Sequence, residues 1–298
     1  MPVFNGERFL EEGLTALLEQ SFDDFELVIA DNASTDATEK ICRDFASRDS
    51  RIRYVRNETN FGYIFNFNKV FLLTSAPYFK WAAYDDVCAR DFLRQCVERL
   101  DDDLSLALVY SLTAGIDEEG NPAGLGPNIY ADQNSPASAY SRDPAVRFKR
   151  VMTKLWSTEI LYGVMRSEAL AKTRLHAPHY MGDHILLSEL VLYGRFFELQ
   201  EELFFIRVHP ERIGFAQKAT SRITRVQPSL RESRLFLAWK MLISYPHRVW
   251  MHASAITRSP LTLRQKLSCY AQLIKTSVVW VSLRAGRKLR VTRSDTST

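Results

Sequence analysis

Cysteine is scarce in this chain and has no functional spacing. The 298 residues include four cysteines, at positions 42, 88, 96 and 269. They form no Cys-x-x-Cys pair, and no histidine follows them at a metal-binding interval. Lone thiols in a chain of this size are typical of a reducing compartment and not of a disulfide-stabilised secreted domain. The sequence therefore excludes a disulfide scaffold.

Long hydrophobic runs are also missing. No stretch reaches the roughly 18 apolar residues of a membrane-spanning helix, and the longest candidate, Val278 to Leu283, is far too short. The N-terminus has neither the basic region nor the apolar segment of a secretory signal. We therefore expect a cytoplasmic protein, with peripheral attachment to the inner face of the cell membrane as an extension of that expectation.

Acidic residues are almost absent from the last part of the chain. Residues 216–298 contain only Glu232 and Asp295 against 16 Lys and Arg, a net charge of +14. Residues 1–215 contain 33 Asp and Glu against 23 Lys and Arg, a net charge of −10. This asymmetry predicts two regions with different partners, residues 1–215 and a basic, mainly helical region over residues 216–298.

The basic region mixes Leu, Trp, Ile and Val with Arg and Lys at helical spacing, for example over residues 274–290. Such a pattern is typical of an amphipathic helix at the surface of an anionic membrane. It also fits a helical cap whose apolar face packs on the first region. Nucleic-acid binding would also explain the charge, but no recognition-helix, zinc-finger or RNP motif supports it, so we expect no nucleic-acid partner.

Strands and helices alternate along the first region. Apolar runs predict strands at residues 25–30, 52–55, 78–83, 104–110 and 203–208. Helical periodicity predicts helices at residues 7–20, 36–48, 66–74, 92–100, 144–156 and 180–194. This alternation is typical of an α/β protein with a mostly parallel central sheet flanked by helices.

Carboxylates follow two of the predicted strands. Asp31 ends the first, and Asp85 and Asp86 follow the strand at residues 78–83. Ligands of open α/β sheets bind beyond the carboxyl ends of the strands. A carboxylate there can accept hydrogen bonds from a ribose or base, or bind a divalent cation that carries phosphates. A turn residue and a helix N-cap are the alternatives, but two such sites in one chain favour a nucleotide site.

Motifs across residues 1–215 occur in an order that is typical of one family. They are Pro2-Val3-Phe4-Asn5-Gly6-Glu7, Asp31-Asn32-Ala33-Ser34-Thr35-Asp36, Asn60-Phe61-Gly62 with Asn66 and Asn68, Trp81-Ala82-Ala83-Tyr84-Asp85-Asp86, Gly182-Asp183, Gly194-Arg195-Phe196 and Arg207-Val208-His209-Pro210. Together they resemble family 2 glycosyltransferases, which are inverting, nucleotide-sugar-dependent enzymes of the GT-A fold. The resemblance implies that fold and transfer of a hexosyl or related group to an acceptor hydroxyl, in cell-surface polysaccharide or glycolipid synthesis.

The resemblance also implies roles for individual residues. Asp183 matches the general base that takes the proton of the acceptor hydroxyl. Mg²⁺ or Mn²⁺ would bind the donor diphosphate through Asp85, Asp86 and His209. The nucleotide sugar would contact Asp31, Asp36, Asn5, Asn60, Asn68 and Asp85. Gly163 and Arg166 resemble a segment on the acceptor side, where a saccharide or a lipid-linked acceptor would bind.

Three features depart from the family pattern. Ala83 stands where the first Asp of the Asp-x-Asp motif is expected, and Gly182 replaces the acid that commonly precedes the base. The family pattern also has a hydrophobic first strand before the segment that begins at Pro2, and we expect that strand either to be missing or truncated here or to lie upstream of Met1. A catalytically impaired nucleotide-sugar-binding or scaffold protein is therefore an alternative. A sugar nucleotidyltransferase ranks lower, because residues 2–7 contain only Gly6 where that class needs a glycine-rich loop.

Two further groups of residues have simpler interpretations. His176, His179 and His184 lack the helical spacing of a zinc site and are expected at the surface. The aromatic-rich run from Phe61 to Phe71 is expected to pack in the core and not to form a platform for a sugar ring.

Overall fold

The computed structural model describes residues 1–124, 141–154, 159–177, 182–209 and 234–277, with the backbone course alone for residues 154 and 234–245. Its first part contains β1 (Pro2–Val3), α1 (Leu10–Leu18), β2 (Leu27–Asp31), α2 (Thr38–Arg48), β3 (Ile52–Arg56) and α3 (Tyr63–Leu72). The strands form a parallel sheet in the order β1-β2-β3. All five residues of β2 are buried, as expected for a parallel strand covered on both faces.

The rest of the described chain forms a second sheet with its covering helices. Its elements are β4 (Tyr78–Phe79), β5 (Val87–Cys88), α4 (Phe92–Asp102), β6 (Leu106–Ile116), β7 (Pro122–Ala123), α5 (Pro144–Lys154), a 3₁₀ turn (Glu159–Tyr162), β8 (Val164–Arg166), α6 (Ser167–Ala171), α7 (Gly182–Leu190), β9 (Arg195–Arg207), α8 (Arg234–Arg258) and a helix over residues 263–277.

The second sheet differs from the mostly parallel sheet that the sequence predicts. Its strand order is β4-β8-β6-β9-β5, with β7 paired to β6. Only the β6–β9 pair is parallel, and the other pairs are antiparallel. The apolar runs of the sequence indicate where strands lie but not in which direction they run. The alternation of strands and helices therefore predicted more parallel strand pairs than the second sheet contains.

Two apolar clusters fill the space around the sheets. One lies under α1 and α4 and contains Leu10, Leu14, Phe92 and Leu100. The other lies under α5 and α7 and extends to the C-terminal helices through Ala255, Ile256, Cys269 and Leu273. The inner face of these helices therefore packs on the first region, as the helical-cap alternative predicts.

The expected boundary at residue 215 lies outside the described residues. None of the helices within the described ranges is both long and apolar enough to cross a membrane. All four cysteines are buried and free, in agreement with the interpretation of the sequence.

Candidate active site

The loop after β1 is bound to the loop after β2. Asn5 donates its backbone N–H to Ser34 Oγ at 2.9 Å, and its side-chain Oδ1 accepts the N–H of Thr35 at 2.9 Å. Gly6 donates its N–H to Thr38 Oγ1 at 2.8 Å. Gly6 has no room for a side chain, because a Cβ there would lie 2.8 Å from the Tyr84 ring. The two loops thus form one edge beside the segment that carries Asp85.

Asp36 lies within this edge. Its carboxylate accepts the backbone N–H of Glu7 at 3.1 Å and that of Thr38 at 3.0 Å. Burial raises the pKa of the Asp36 carboxyl, but the hydrogen bonds from Thr38 and Glu7 outweigh burial, so that the pKa lies below its usual value. Asp36 is therefore an ionised group that holds the two loops together.

Asp31, at the end of β2, is completely buried. Its Oδ1 accepts the N–H of Ser34 at 2.9 Å, and its Oδ2 accepts the Tyr54 hydroxyl at 2.8 Å and the Arg56 guanidinium. The sequence analysis did not single out Tyr54 and Arg56, although both lie on β3, the parallel neighbour of β2. A ligand reaches this carboxylate only if Arg56 or Tyr54 moves aside.

Side-chain amides connect the end of β3 to the start of α3. Asn60 Oδ1 accepts from Asn32 Nδ2 at 2.7 Å and from the N–H of Gly62 at 2.8 Å. Asn57, which the sequence analysis missed, donates to Asn32 Oδ1 at 2.8 Å and to Asn66 Oδ1 at 3.1 Å. Asn60 is exposed, so of these amides it is the one that a ligand can reach most easily.

Asp85 and His209 lie together, although 124 residues separate them. His209 Nε2 is 3.0 Å from Asp85 Oδ2, and both residues are buried. The ring of Phe9, in the loop after β1, packs on the His209 ring with centroids 4.9 Å apart. This contact joins the pair to the edge formed by the first two loops.

Asp86 is used differently from Asp85. Its Oδ1 accepts the backbone N–H of Arg207 at 3.1 Å. The completely buried Arg207 side chain donates to the Asp85 carbonyl at 3.1 Å and to the Asp117 carbonyl at 2.9 Å, and forms an ion pair with Glu12 at 2.6 Å. Arg207 was not predicted as a site residue, yet it fixes the position of the segment that carries both carboxylates.

The donor set around Asp85 fits a metal held by few protein groups. His209 Nδ1 is buried and has no hydrogen-bond partner among the described residues. Across those residues, no group of three or more His, Cys, Asp and Glu side chains is arranged to hold a metal ion. One carboxylate and one imidazole are suitable ligands for a divalent ion whose remaining positions are filled by phosphate oxygens and water.

Asp183 lies in the first turn of α7, and its side chain is 39% exposed. Its Oδ1 is 3.1 Å from His176 Nδ1. Gly182 precedes it because a Cβ at that position would lie 2.7 Å from the carbonyl oxygen of Ala177. The departure from the family pattern at residue 182 therefore has a steric cause in this chain.

The prediction that the three histidines lie at the surface is wrong for His176. Its ring is buried with edge-to-face contacts to Phe67 and Trp81, each at a centroid distance of 5.1 Å. Asn68 accepts the His176 N–H and donates to the His176 carbonyl, both at 2.9 Å. Asn68 therefore holds the backbone of the segment that carries His176.

The other two histidines of the group differ in what the structure describes. Burial lowers the pKa of His184, and His179 lies outside the described residues.

Gly163 and Arg166 lie around β8 and make packing contacts. A Cβ on Gly163 would lie 2.5 Å from the Val109 carbonyl oxygen, so the glycine permits close approach to β6. Arg166 donates to the carbonyls of Leu100, Asp103 and Leu106. Leu100 belongs to the last turn of α4. The contacts of Arg166 thus stabilise the end of α4.

The aromatic run after Asn60 divides into two groups. Val70 and Phe71 belong to one apolar cluster, against which Phe67 packs, as expected. Phe61, Tyr63 and Phe65 are instead about half exposed. Phe61 and Phe65 contact each other at a centroid distance of 4.9 Å, whereas Tyr63 contacts Phe67 at 6.5 Å. The prediction of core packing is therefore correct only for the second half of the run.

Comparison with known proteins identifies relatives of this chain. Residues 1–155, just over half of the chain, match the model of the family described as Glycosyl transferase family 2. The chain is 30% identical over 128 residues to the chondroitin synthase of Escherichia coli, which covers 43% of this chain and 18% of that protein. It is 30% identical over 97 residues to a putative teichuronic acid biosynthesis glycosyltransferase, TuaG, of Bacillus subtilis, which covers 33% of this chain and 38% of the relative. The match thus spans less than half of each relative.

Solved structures share the fold at low sequence identity. TarS residues 1–349 of S. aureus in complex with UDP superpose with a TM-score of 0.57 at 16% identity, over 89% of this chain and 66% of that one. The mannosyltransferase PcManGT of Pyrobaculum calidifontis, in complex with GDP-Man and Mn²⁺, gives 0.54 at 18% identity, over 95% and 82%. These matches confirm the expected α/β GT-A fold. Because the family model matches more than half of the residues, the chain belongs to glycosyl transferase family 2.

Proposed function

We propose that this protein is an inverting glycosyltransferase that moves a sugar from a nucleotide-diphosphate sugar to an acceptor hydroxyl. The observation that carries the proposal is the carboxylate of Asp183, which is partly exposed and held at one oxygen by His176. Family membership and the nucleotide complexes of TarS and PcManGT support a nucleotide-sugar donor.

The chemistry is a single displacement. The Asp183 carboxylate takes the proton of the acceptor hydroxyl as that oxygen attacks the anomeric carbon. The bond between the anomeric carbon and the diphosphate oxygen breaks on the opposite face, and the nucleoside diphosphate leaves with the electron pair. One displacement of this kind inverts the anomeric configuration.

The donor is proposed to bind along the edge formed by the loops after β1, β2 and β3. Asn5, Asp36 and Asn60 lie at this edge, where their polar atoms already bind loop to loop. Asp31 and Asn68 are proposed to act mainly by holding their neighbours, because Asp31 is completely buried and Asn68 is bonded to the His176 backbone. Contact between Asp31 and a base would require Arg56 or Tyr54 to move.

Mg²⁺ or Mn²⁺ is the proposed cofactor. Asp85 and His209 would hold the ion, and Asp86 supports them through its bond to Arg207. The ion would neutralise the charge that grows on the leaving diphosphate. The Mn²⁺ complex of PcManGT supports this assignment.

The proposed acceptor is a saccharide or a lipid-linked sugar at the cytoplasmic face of the cell membrane, in polysaccharide or glycolipid synthesis. An exposed stripe on the 263–277 helix supports this setting. Leu263, Leu267 and Ile274 are 74%, 60% and 62% exposed and share one face of the helix. Arg264 and Lys275 are exposed beside them, as expected for a surface that meets anionic lipid.

A nucleotide-sugar-binding protein without catalysis is the alternative that one observation favours. Ala83 leaves the metal site with fewer carboxylates than the family pattern provides. The two proposals differ in donor turnover, because a binding protein holds the donor but releases no nucleoside diphosphate.

The test is a panel of nucleotide sugars, each assayed with Mg²⁺ or Mn²⁺ for release of nucleoside diphosphate in the presence of candidate acceptors. Wild-type protein should turn over at least one donor. The Asp183→Asn variant should bind that donor with a similar Kd but lose transfer by at least about 100-fold, the lower range for removing a general base. Donor binding without turnover by the wild type would favour the alternative, and transfer by Asp183→Asn would refute the base.

A further inference from the structure

The buried side chain of His176 contacts one oxygen of the Asp183 carboxylate. His176 Nδ1 lies 3.1 Å from Asp183 Oδ1, and the side chain of His176 is only 3% exposed. A carboxylate oxygen accepts hydrogen bonds and a ring N–H donates them, so this distance suits an N–H on Nδ1 that faces Oδ1. The other ring nitrogen, Nε2, is buried without a hydrogen-bond partner among the described residues.

The imidazole is held from several sides. The rings of Phe67 and Trp81 make edge-to-face contacts with the His176 ring, each at a centroid distance of 5.1 Å. Asn68 forms both hydrogen bonds of a reciprocal pair with the His176 backbone. A ring confined in this way has little freedom to rotate, so its N–H points in one fixed direction.

The segment before His176 is hydrogen-bonded to α7 and to α8. Arg174 donates its backbone N–H and its guanidinium to the buried carboxylate of Glu189, at 2.8 and 2.6 Å. The same guanidinium reaches the Met251 carbonyl and the Ser254 hydroxyl on α8. Between Arg174 and His176, Leu175 has φ +58°, a conformation that side chains rarely adopt and that surrounding contacts must maintain.

We infer that His176 is a positioning residue that fixes the orientation of the Asp183 carboxylate, an inference that rests on the proposed role of Asp183 as the base. The 3.1 Å contact of Nδ1 with Oδ1 limits the movement of the carboxylate and leaves Oδ2 as the oxygen that takes the acceptor proton. His176 itself neither touches the acceptor nor exchanges a proton. A small misplacement of a reacting group can lower the rate of the reaction by up to about 100-fold.

The experiment compares three variants of the full chain, assayed with a donor that the wild type turns over. His176→Phe keeps an aromatic ring between Phe67 and Trp81 but has no N–H. His176→Asn puts an amide N–H close to the position of Nδ1. His176→Gln carries a similar amide one carbon further out, near the position of Nε2, and is the matched control for polarity.

Loss of positioning predicts a change in kcat and not in donor binding. His176→Phe and His176→Gln should lower kcat by up to about 100-fold with little change in the donor KM, and His176→Asn should recover most of the loss. Thermal unfolding and donor Kd of each variant identify any that fail to fold. If the phenyl ring is not tolerated, the Asn and Gln variants alone decide.

Two results would overturn the inference. One is a wild-type kcat in the Phe and Gln variants, and the other is an equal loss in the folded Asn and Gln variants, which would mean that the position of the N–H is irrelevant. Failure of the underlying proposal looks different. In that case the wild type turns over no donor, or Asp183→Asn transfers sugar as well as the wild type does.

Discussion

At the scale of single residues, burial changes the chemistry of the cysteines. Burial, reinforced by the negative charge of Asp31, raises the pKa of the Cys42 thiol from 9.0 to about 12. Burial likewise raises the pKa of Cys88 and that of Cys96. Because the thiolate is the reactive form, thiol reagents at pH 8 should label the native protein far more slowly than the urea-unfolded chain.

The same shift predicts a dependence of stability on pH. Above pH 9 the unfolded chain loses the Cys42 proton while the folded protein keeps it until about pH 12. The free energy of unfolding should therefore fall between these values, by at most about 1.4 kcal/mol per pH unit for this group. Urea denaturation at pH 8, 9 and 10 measures the slope. A Cys42→Ala variant should have a smaller slope, and an equal slope would contradict the assignment.

Single residues also show what the sequence can and cannot predict about the site. Asp85 and His209 were both predicted as metal ligands, and they are neighbours in the structure. Arg56 and Arg207 were missed, because an arginine in a strand looks like a solvated charge until the neighbouring strand is known. The burial of His176 was missed for a similar reason, since the aromatic rings that enclose it come from distant parts of the chain.

At the scale of elements, one buried carboxylate joins α7 to α8. Glu189 is 1% exposed and forms ion pairs with Arg174 at 2.6 Å and with Arg258 at 3.2 Å. Removing one partner of a buried ion pair leaves the others without compensation. Glu189→Gln should therefore lower the free energy of unfolding by about 3 kcal/mol, as measured by urea denaturation.

The matched control is an exposed ion pair. Asp44 and Arg48 form a pair on the surface of α2 at 2.7 Å, and Asp44→Asn should change the free energy of unfolding by less than about 0.5 kcal/mol. Equal effects of the two substitutions would contradict a structural role for the Glu189 cluster.

The positions of most elements were predictable, and their lengths and directions less so. The apolar runs located β2, which is buried on both faces, and β3, its neighbour in the sheet, while the periodicity located α2 and α4. The strand predicted at residues 78–83 is paired only over Tyr78–Phe79. In contrast, β9 begins at Arg195, eight residues before the predicted strand, because its polar middle pairs with β6 through shifts in register.

At the scale of the whole molecule, the C-terminal helices have two apolar faces. The inner face packs against the first region through residues such as Ile256 and Leu273. The outer face of the 263–277 helix exposes Leu263, Leu267 and Ile274. The charge pattern of the sequence predicted a surface for lipid, but it did not distinguish the face that packs from the face that remains exposed.

The exposed stripe predicts binding to anionic membranes. Wild-type protein should float with liposomes that contain an anionic lipid, and less so at high salt because the Debye length shortens. Replacing Leu263, Leu267 and Ile274 by serine should largely abolish flotation. Serine at Leu72 and Leu104, two exposed leucines elsewhere in the fold, should leave it unchanged. Equal flotation of both variants would contradict this surface.

The central claim is an inverting transfer that depends on Asp183, and the anomeric configuration of the product tests it most directly. The anomeric configuration of the first-formed product from an α-linked nucleotide sugar is read by ¹H NMR. The attacking group is an acceptor sugar or water, and with water the spectrum is recorded before the released sugar mutarotates. A single displacement predicts a β-configured product from the wild type and none above background from Asp183→Asn. An α-configured product would contradict the account, because it would require retention and therefore a different mechanism.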